Sequence, residues 1–440
     1  MPADITPTPT VYRTAAADQN DRRSRSPVYV LVILLLVFAF QYVDRSLIAI
    51  LAQPIKHEFD LPDSQIGLLT GFIYSVPYAL MLFPVGYFVD RRNRRNLLAL
   101  ALALWSLLTF LTGFVRNMAE LVIARCFIAG AEAANNPTAL SILSDYYGKT
   151  RRATAVGIFF AGPAIGSVIA FTLVGHIAQL YGWRAAFFLA GAPGLVLAAT
   201  LYFTVHEPER EGSGKHESFN TAPPVRQTFA FILSQRSLVH LMCGMTFSAT
   251  AVSSNIAWMS AFLMRVHHFS LTEAAAAISM SYSLCTAVGQ IIGGGIVDRL
   301  AARNAAWIGW SCSIFSLAIF VAMLASALSP SSVATVIFIG AWGFPAGLQF
   351  GPVGGNIQSL VMPRMRGITS SVYALMLNLI GFGIGPFVVG LMSDALQPRF
   401  GDRSLQVALV AIAFCQIAAA IHFFLSARRM RADLDRVATS

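Results

Sequence analysis

The chain has 440 residues, of which 56% are hydrophobic and only 12% charged. Soluble domains carry roughly 25% charged residues, so this composition excludes a disordered chain and leaves almost no room for an ordinary soluble enzyme. The net charge of +10 does not point to nucleic acid, because the basic residues sit in short clusters between long apolar runs. Of the 31 basic residues 28 are Arg, and Ala is abundant, a usage that suggests a GC-rich bacterial genome.

A membrane span needs about 20 mostly apolar residues to cross a hydrocarbon core of roughly 30 Å. Twelve stretches qualify, near 28–51, 65–89, 96–115, 118–144, 153–179, 184–205, 238–264, 272–297, 305–328, 332–361, 366–394 and 404–426. They are far longer than a barrel strand, so the expected fold is an all-α membrane protein. The first stretch follows a polar tail of 26 residues and has no small-residue cleavage site after it, so it reads as a span and not as a signal peptide.

Lys and Arg set the orientation. The tails and the even-numbered gaps hold 23 of them and the odd-numbered gaps 6, which places both termini in the cytoplasm of a bacterial inner membrane. The gap 206–236 contains Glu207-Pro208-Glu209-Arg210, Gly212-Ser213-Gly214 and Pro223-Pro224, a linker composition. Its end, Val225 to Leu233, is amphipathic enough to lie on the membrane surface. The expected organisation is a cytoplasmic tail (1–26), a six-helix bundle (27–205), a cytoplasmic linker (206–236), a second six-helix bundle (237–427) and a cytoplasmic tail (428–440).

The halves repeat each other. Gly86-Tyr-Phe-Val-Asp90-Arg91-Arg-Asn-Arg94-Arg95 follows the second span, and Gly294-Gly-Ile-Val-Asp298-Arg299-Leu-Ala-Ala-Arg303 follows the eighth, 208 residues later. Arg152 and Arg366 recur after the fourth and tenth spans. Gly162-Pro163-Ala-Ile-Gly166 on the fifth span is echoed by Gly381-Phe-Gly383-Ile-Gly385-Pro386 on the eleventh. Two copies of six helices point to a transporter whose substrate site lies between the halves near the midplane.

Together with Gly182-Trp183-Arg184 before the sixth span, these motifs resemble the major facilitator superfamily over residues 28 to 426. Gln41-Tyr42-Val43-Asp44-Arg45-Ser46 and Ala124-Arg125-Cys126-Phe127-Ile128-Ala129-Gly130-Ala131-Glu132-Ala133, followed by Pro137 and Ser144-Asp145-Tyr146, look like the spinster-like lipid transporters. The anion:cation symporters share nearly the same features. Gln41 stands where the spinster pattern has Asn, and Ala131 where it has Gly. The resemblance implies two pseudo-symmetric six-helix bundles working by alternating access. It also implies a cytoplasmic gate around Gly86, Asp90, Arg91, Arg94, Arg95, Asp145, Asp298 and Arg299. In that gate Asp90 pairs across the halves, and Asp145 joins it through Arg91 or Arg95.

Charges inside spans cost roughly 2.5–3.5 kcal/mol each on insertion scales. Four stand clearly inside: Asp44, Arg45, Arg125 and Glu132. Asp44 lies about seven residues before the outer end of the first span and Arg125 about seven after the outer start of the fourth, so they share a depth. Glu132 is about 10 Å deeper on nearly the same helix face. A carboxylate facing Arg125 stays ionised and takes a proton once the pair separates. The expected coupling group is therefore Asp44, Arg125 and Glu132, with Asp44 carrying the proton. A fixed ion pair stitching the two helices is the structural alternative. Arg45 must face about 100° away from Asp44, towards the cavity or snorkelling to the outer interface.

The second half offers no such charges. Candidate cavity residues are Arg45 and Asn136 from the first half, and Asn255, Trp258, Tyr282, Gln349, Asn356, Tyr373 and Asn378 from the second. A charged half facing an aromatic, weakly polar one suits an amphipathic substrate with an anionic or zwitterionic head. The five cysteines have no metal or disulfide spacing, His267-His268 reads as an exposed outer pair, and His176, His240 and His422 read as isolated. No phosphate-binding Gly-Lys-Ser/Thr motif or nucleophile–base spacing appears.

The expected protein is thus a monomeric, proton-coupled secondary transporter of amphipathic, lipid-like or hydrophobic organic molecules. It is expected to need no cofactor or metal, to contact membrane lipids and not nucleic acid, and to be no enzyme. Symport of small carboxylates is the alternative within transport, and a lipid scramblase or non-transporting sensor the alternative outside it.

Overall fold

A computed structural model describes residues 26–207, 225–362 and 365–439, and the side chain of Asp90 lies outside the described residues. Every regular element among them is helical. The first span is α1 (Pro27–Ile50), and a short surface helix α2 (Ala52–Phe59) follows it. The second is α3 (Asp63–Thr70) and α4 (Phe72–Arg91), and the third is α5 (Arg94–Thr112). The fourth is α6 (Met118–Glu132) and α7 (Asn135–Tyr146). The fifth joins α8 (Lys149–Phe159), α9 (Gly162–Ile169), a π-turn and α10 (Gly175–Tyr181), and the sixth is α11 (Trp183–Thr204).

After α12 (Val225–Ser234), the seventh span is α13 (Arg236–His267). The eighth is α14 (Leu271–Ile278), a π-turn and α15 (Leu284–Ala301). The ninth is α16 (Trp307–Leu328) and the tenth α17 (Ser332–Ser359). The eleventh is α18 (Arg366–Met376), a π-helical stretch (Leu377–Ile384) and α19 (Gly385–Phe400). The last is α20 (Ser404–Ala413) and α21 (Cys415–Thr439), which runs past the bundle end expected at 427.

Nine described helical runs are apolar enough to cross a membrane by length and composition alone, and one of these, Arg366–Val437, holds two passes. The runs 118–146 and 236–267 fall below that mark for a physical reason. The fourth span carries Arg125, Glu132, Asn135 and Asn136, and the seventh a series of Ser, Thr and Asn side chains. Their polar groups are buried by neighbouring helices and not by lipid.

The repeat is visible in the packing. The first span lies along the fifth, the second along the fourth and the third along the sixth. Six spans later the seventh lies along the eleventh, the eighth along the tenth and the ninth along the twelfth. The halves meet where the second span packs on the eleventh and the fifth on the eighth, two contacts that the same shift exchanges.

Glycines permit these approaches. A Cβ on Gly166 would lie 2.1 Å from the Ala39 carbonyl oxygen, and one on Gly162 2.9 Å from Phe38 Cβ. In the second half, a Cβ on Gly385 would lie 2.4 Å from Ser254 Oγ and one on Gly381 3.0 Å from Ala249 Cβ. At the junction of the halves, a Cβ on Gly71 would sit 2.2 Å from the Gly383 carbonyl oxygen.

Candidate functional site

The break in the fourth span builds the centre of the first half. α6 ends at Glu132 and α7 begins at Asn135, which frees backbone carbonyls inside the membrane. Such groups need partners there. Gln41 of α1 supplies one: its Nε2 donates to the Glu132 carbonyl at 3.2 Å and to Glu132 Oε2 at 3.3 Å. Asn135 Nδ2 donates to Gln41 Oε1 at 2.7 Å. Tyr74 of α4 donates its hydroxyl to Glu132 Oε2 at 2.5 Å. Glu132 is fully buried, and its Oε1 has no protein partner.

One turn along α1, Asp44 Oδ2 accepts from Thr109 of α5. Asp44 Oδ1 stands 3.9 Å from Arg125 Nη1, the outer limit of an ion pair, and has no hydrogen bond. Arg125 donates from Nη2 to the Arg45 carbonyl at 3.2 Å, and its Nε is unpaired. The Tyr74 ring links the groups, with the Arg125 and Arg45 guanidinium carbons each 4.8 Å from its centroid. Such cation–π contacts hold charge without neutralising it. Two carboxylates and two guanidiniums thus share a mostly buried site in which several polar atoms are unmet.

Arg45 does not snorkel outwards. Its guanidinium lies 4.9 Å from the Phe382 ring, which belongs to the other half, and 5.8 Å from Tyr42. The ring faces of Tyr74 and Phe382 hold it at the junction of the halves.

The second-half candidates separate into two groups. Asn255, Trp258 and Gln349 are buried inside their own bundle. Trp258 Nε1 donates to the Pro386 carbonyl at 2.9 Å, and Asn255 Nδ2 to the Ala251 carbonyl at 3.0 Å. Gln349 accepts from Ser248 at 2.8 Å and donates to Ser316 Oγ at 2.8 Å and the Cys312 carbonyl at 3.0 Å. Trp258 and Gln349 tie elements together, while Asn255 bonds within α13 and reaches Met323 Sδ of α16 at 3.7 Å; all three are buried and not cavity-lining. Tyr282, Asn356, Tyr373 and Asn378 are half-buried, as is Asn136 beside Glu132. Tyr282 leans on Trp342 with ring centroids 4.8 Å apart.

The expected gate residues are drawn together only in part among the described residues, which leave out the Asp90 side chain. Asp298 and Arg299 are exposed, and a Cβ on Gly86 would meet nothing within 4 Å. Arg91 lies over Tyr87 at 3.7 Å. Asp145 joins Arg94 at 2.5 Å and not Arg91 or Arg95, because Arg94 alone of the three is turned into the bundle at the start of α5. Arg94 also pairs with Glu207 at 2.7 Å, and Glu207 accepts from the Arg95 N–H at 2.8 Å. This network belongs to the first half.

The opposite side is latched, by residues the sequence reading passed over. Asp63, at the start of α3, accepts from Arg265 of α13 at 2.6 and 2.7 Å, from Lys56 at 2.5 Å and from Ser393 at 2.7 Å. Asp394 of α19 returns the contact, its two carboxylate oxygens accepting from the Asp63 and Ser64 N–H groups at 2.8 Å each. A carboxylate from one half therefore caps a helix N-terminus of the other. Nearby, burial opposes the Glu58 charge, but Arg184 and the Trp183 indole N–H outweigh it and hold that carboxyl below the usual range. The signal for Asp63 was a single acidic residue just outside an apolar run, matched by Arg265 at the same side.

Two histidine readings also change. His267 is half-buried and bonded to Thr335 and Ser332 of α17, so it is not an exposed pair with His268. His240 and His422, far apart in sequence, meet with Nδ1 atoms 3.0 Å apart.

The family model described as Major Facilitator Superfamily matches residues 34–386. The chain belongs to the major facilitator superfamily. It is 30% identical over 424 residues to an MFS-type efflux pump of Mycolicibacterium smegmatis, covering 95% of this chain and 96% of that one. It is 24% identical over 412 residues to a probable L-galactonate transporter of Escherichia coli, covering 90% and 88%. A crystal structure of a bacterial homolog to the human lysosomal transporter Spinster, inward-facing and unoccupied, superposes with a TM-score of 0.82 at 29% identity, covering 92% and 98%. The chain is thus a multi-pass membrane transporter of the major facilitator fold, similar to spinster-like proteins, and not an enzyme.

Proposed function

We propose that this transporter is driven by protons and moves amphipathic, lipid-like or hydrophobic organic molecules by alternating access. The observation that carries the reading is the Asp44–Arg125–Tyr74–Glu132 cluster. Its ion pair is stretched to 3.9 Å, and each carboxylate keeps one oxygen without a protein hydrogen bond. A purely structural pair would be expected to close and satisfy its hydrogen bonds. A cluster that gains and loses a proton needs slack of this kind. Arg45, held between Tyr74 and the Phe382 ring of the other half, is placed to meet an anionic head, and the aromatic second half to meet an apolar body.

The distribution of basic residues supports cytoplasmic termini in a bacterial inner membrane. With that orientation the Asp63 latch is external and the chain is open to the cytoplasm. The match to an inward-facing relative supports this state. The Asp90 loop then serves as the inner gate that closes in the alternate state, and the transporter acts as a monomer.

The test is transport in proteoliposomes with an imposed pH gradient. Asp44→Asn should strongly reduce proton-driven transport with the fold intact. Arg125→Ala should do more damage, since it strands two carboxylates, and Glu132→Gln should be intermediate. Full pH-dependent transport by Asp44→Asn would remove Asp44 from the mechanism.

A second reading, symport of small carboxylates, is favoured by the paired guanidiniums and by the galactonate-transporter relative. Thermal stabilisation separates the two, because a ligand that binds the folded chain at free concentration L raises its stability by RT ln(1 + L/Kd). Lysolipids or long-chain amines should stabilise under the first reading, and uronate-like acids alone under the second.

A further inference from the structure

The cytoplasm-facing ends of α13 and α21 form a second polar site, far from the Asp44 cluster in the first half. Asp433 of α21 accepts from the Ser237 N–H at 2.7 Å, and Ser426 donates to the Ser237 carbonyl at 2.8 Å. These bonds lock the start of α13 against α21. Two adjoining cavities of about 450 Å³ each open on this frame. Arg236 and Arg429 line both, Arg428 and His240 line the first, and Leu233 lines the second.

Charge here is one-sided. Among the described residues Arg236, Arg428 and Arg429 form no ion pair with a carboxylate. Asp433, the acidic residue in the wall, is already held by the Ser237 N–H and lies 3.7 Å from Arg436. Three guanidiniums that form no ion pair, lining adjoining cavities whose carboxylate already faces Arg436 and the Ser237 N–H, select an oxyanion.

The surroundings select its source. Directly towards the membrane on α21 lie Phe424 and Ile421, 48% and 54% exposed, and Arg428 leans over the Phe424 ring at 5.8 Å. On α12, Phe229 and Leu233 are exposed as well. We propose that this site binds the phosphate headgroup of an anionic phospholipid, with Arg236, Arg428 and Arg429 on the phosphate and the acyl chains running over Phe424 and Ile421. A soluble phosphate would use the guanidiniums and leave the apolar side chains idle. Basic pockets at helix ends on the cytoplasmic side have the right charge and height for such a headgroup.

The experiment titrates the purified full-length chain in detergent with phosphatidylglycerol or phosphatidylcholine and counts bound lipid by native mass spectrometry. Phosphatidylglycerol should bind at a concentration lower by about tenfold or more. The double substitution Arg236→Gln with Arg429→Gln should erase that preference, and Arg299→Gln with Arg303→Gln, on another basic loop, should keep it. Millimolar inorganic phosphate should leave the bound lipid in place. Equal loss in both double variants, no preference between lipids, or displacement by inorganic phosphate would each overturn the proposal. Since the Gln pair removes topogenic charge, the unmodified chain is also labelled in liposomes with a photoactivatable phosphatidylglycerol. Label should fall within 225–240 or 421–436, and label confined to other segments would overturn the proposal equally.

Discussion

Tyr74 shows how much of the cluster rests on one hydroxyl and one ring. The hydroxyl serves Glu132 at 2.5 Å, while the ring faces two guanidiniums. Tyr74→Phe separates the roles. It removes a hydrogen bond to a buried carboxyl, worth about 1.5–3 kcal/mol if the acceptor is charged, and keeps the ring. Proteoliposome transport should fall and lose part of its pH dependence, while the thermal midpoint moves by only a few degrees. Tyr74→Leu, which also removes the cation–π contacts, should fall further. Unchanged transport by Tyr74→Phe would take the hydroxyl out of the cycle. The shared depth of Asp44 and Arg125 was legible from helix rise alone, and the structure sets them 3.9 Å apart. Tyr74 was not legible, because the sequence offers it as one aromatic among 32 Phe and 12 Tyr. What distinguishes it is the rotation of α4 about its own axis, which is set by contacts with other spans. Gln41 was visible only as a departure from a motif, and the freed carbonyl at Glu132 gives that departure a physical use.

Helix pairing obeys spacing that the sequence states openly. Gly162 and Gly166 mark the face on which the fifth span meets the first, and Gly381 and Gly385 mark the same face six spans later. The prediction concerns contact and not propensity. Gly166→Ala puts a methyl 2.1 Å from a backbone oxygen that cannot rotate away, so α1 and α9 must separate. The thermal midpoint of purified protein should drop by several degrees, in line with the 1–3 kcal/mol that overpacking typically costs. Gly157→Ala, on α8, meets nothing within 4 Å and removes a poor helix former. It should leave the midpoint unchanged or raise it. Equal effects would mean that helix propensity, and not the approach of the two helices, sets the outcome. The break in the fourth span is also legible. Ala133 and Ala134 interrupt it although alanine is the best helix former, because Pro137 offers no N–H to the Ala133 carbonyl and its ring crowds that oxygen. Buried polar side chains explain why the fourth and seventh spans are the least lipid-like. Their outward stripe is narrow, and the rest of each helix answers to its neighbours.

At the scale of the molecule the Asp63 latch, external in the proposed orientation, changes how the charge count is understood. Six basic residues stand on the odd-numbered side, and three of them are ion-paired there, Lys56 and Arg265 sharing Asp63 and Arg184 meeting Glu58. The unbalanced positive charge is therefore even more one-sided than the residue count implies. The latch also bears on the transport cycle. Alternating access requires that Asp63 release Arg265 and Ser393, and that Asp394 release the start of α3, before the outer side can part. Asp63 is 1% exposed, so removing its charge leaves Arg265 facing an uncompensated site. Breaking a buried pair from one side costs about 3–5 kcal/mol. A bias of about 3 kcal/mol shifts a two-state equilibrium by roughly a hundredfold. Asp63→Asn keeps the volume and one acceptor, so the fold should survive while the sealed state loses its advantage. Spin labels at Asp60→Cys and Asp402→Cys, in a chain freed of its five native cysteines, would report the outer separation by electron–electron resonance. The variant should add a longer-distance population that the parent lacks, and should exchange its labels with solvent reagents faster. An unchanged distance distribution would mean that the close glycine contact between the second and eleventh spans, and not the ion pair, holds the outer side shut.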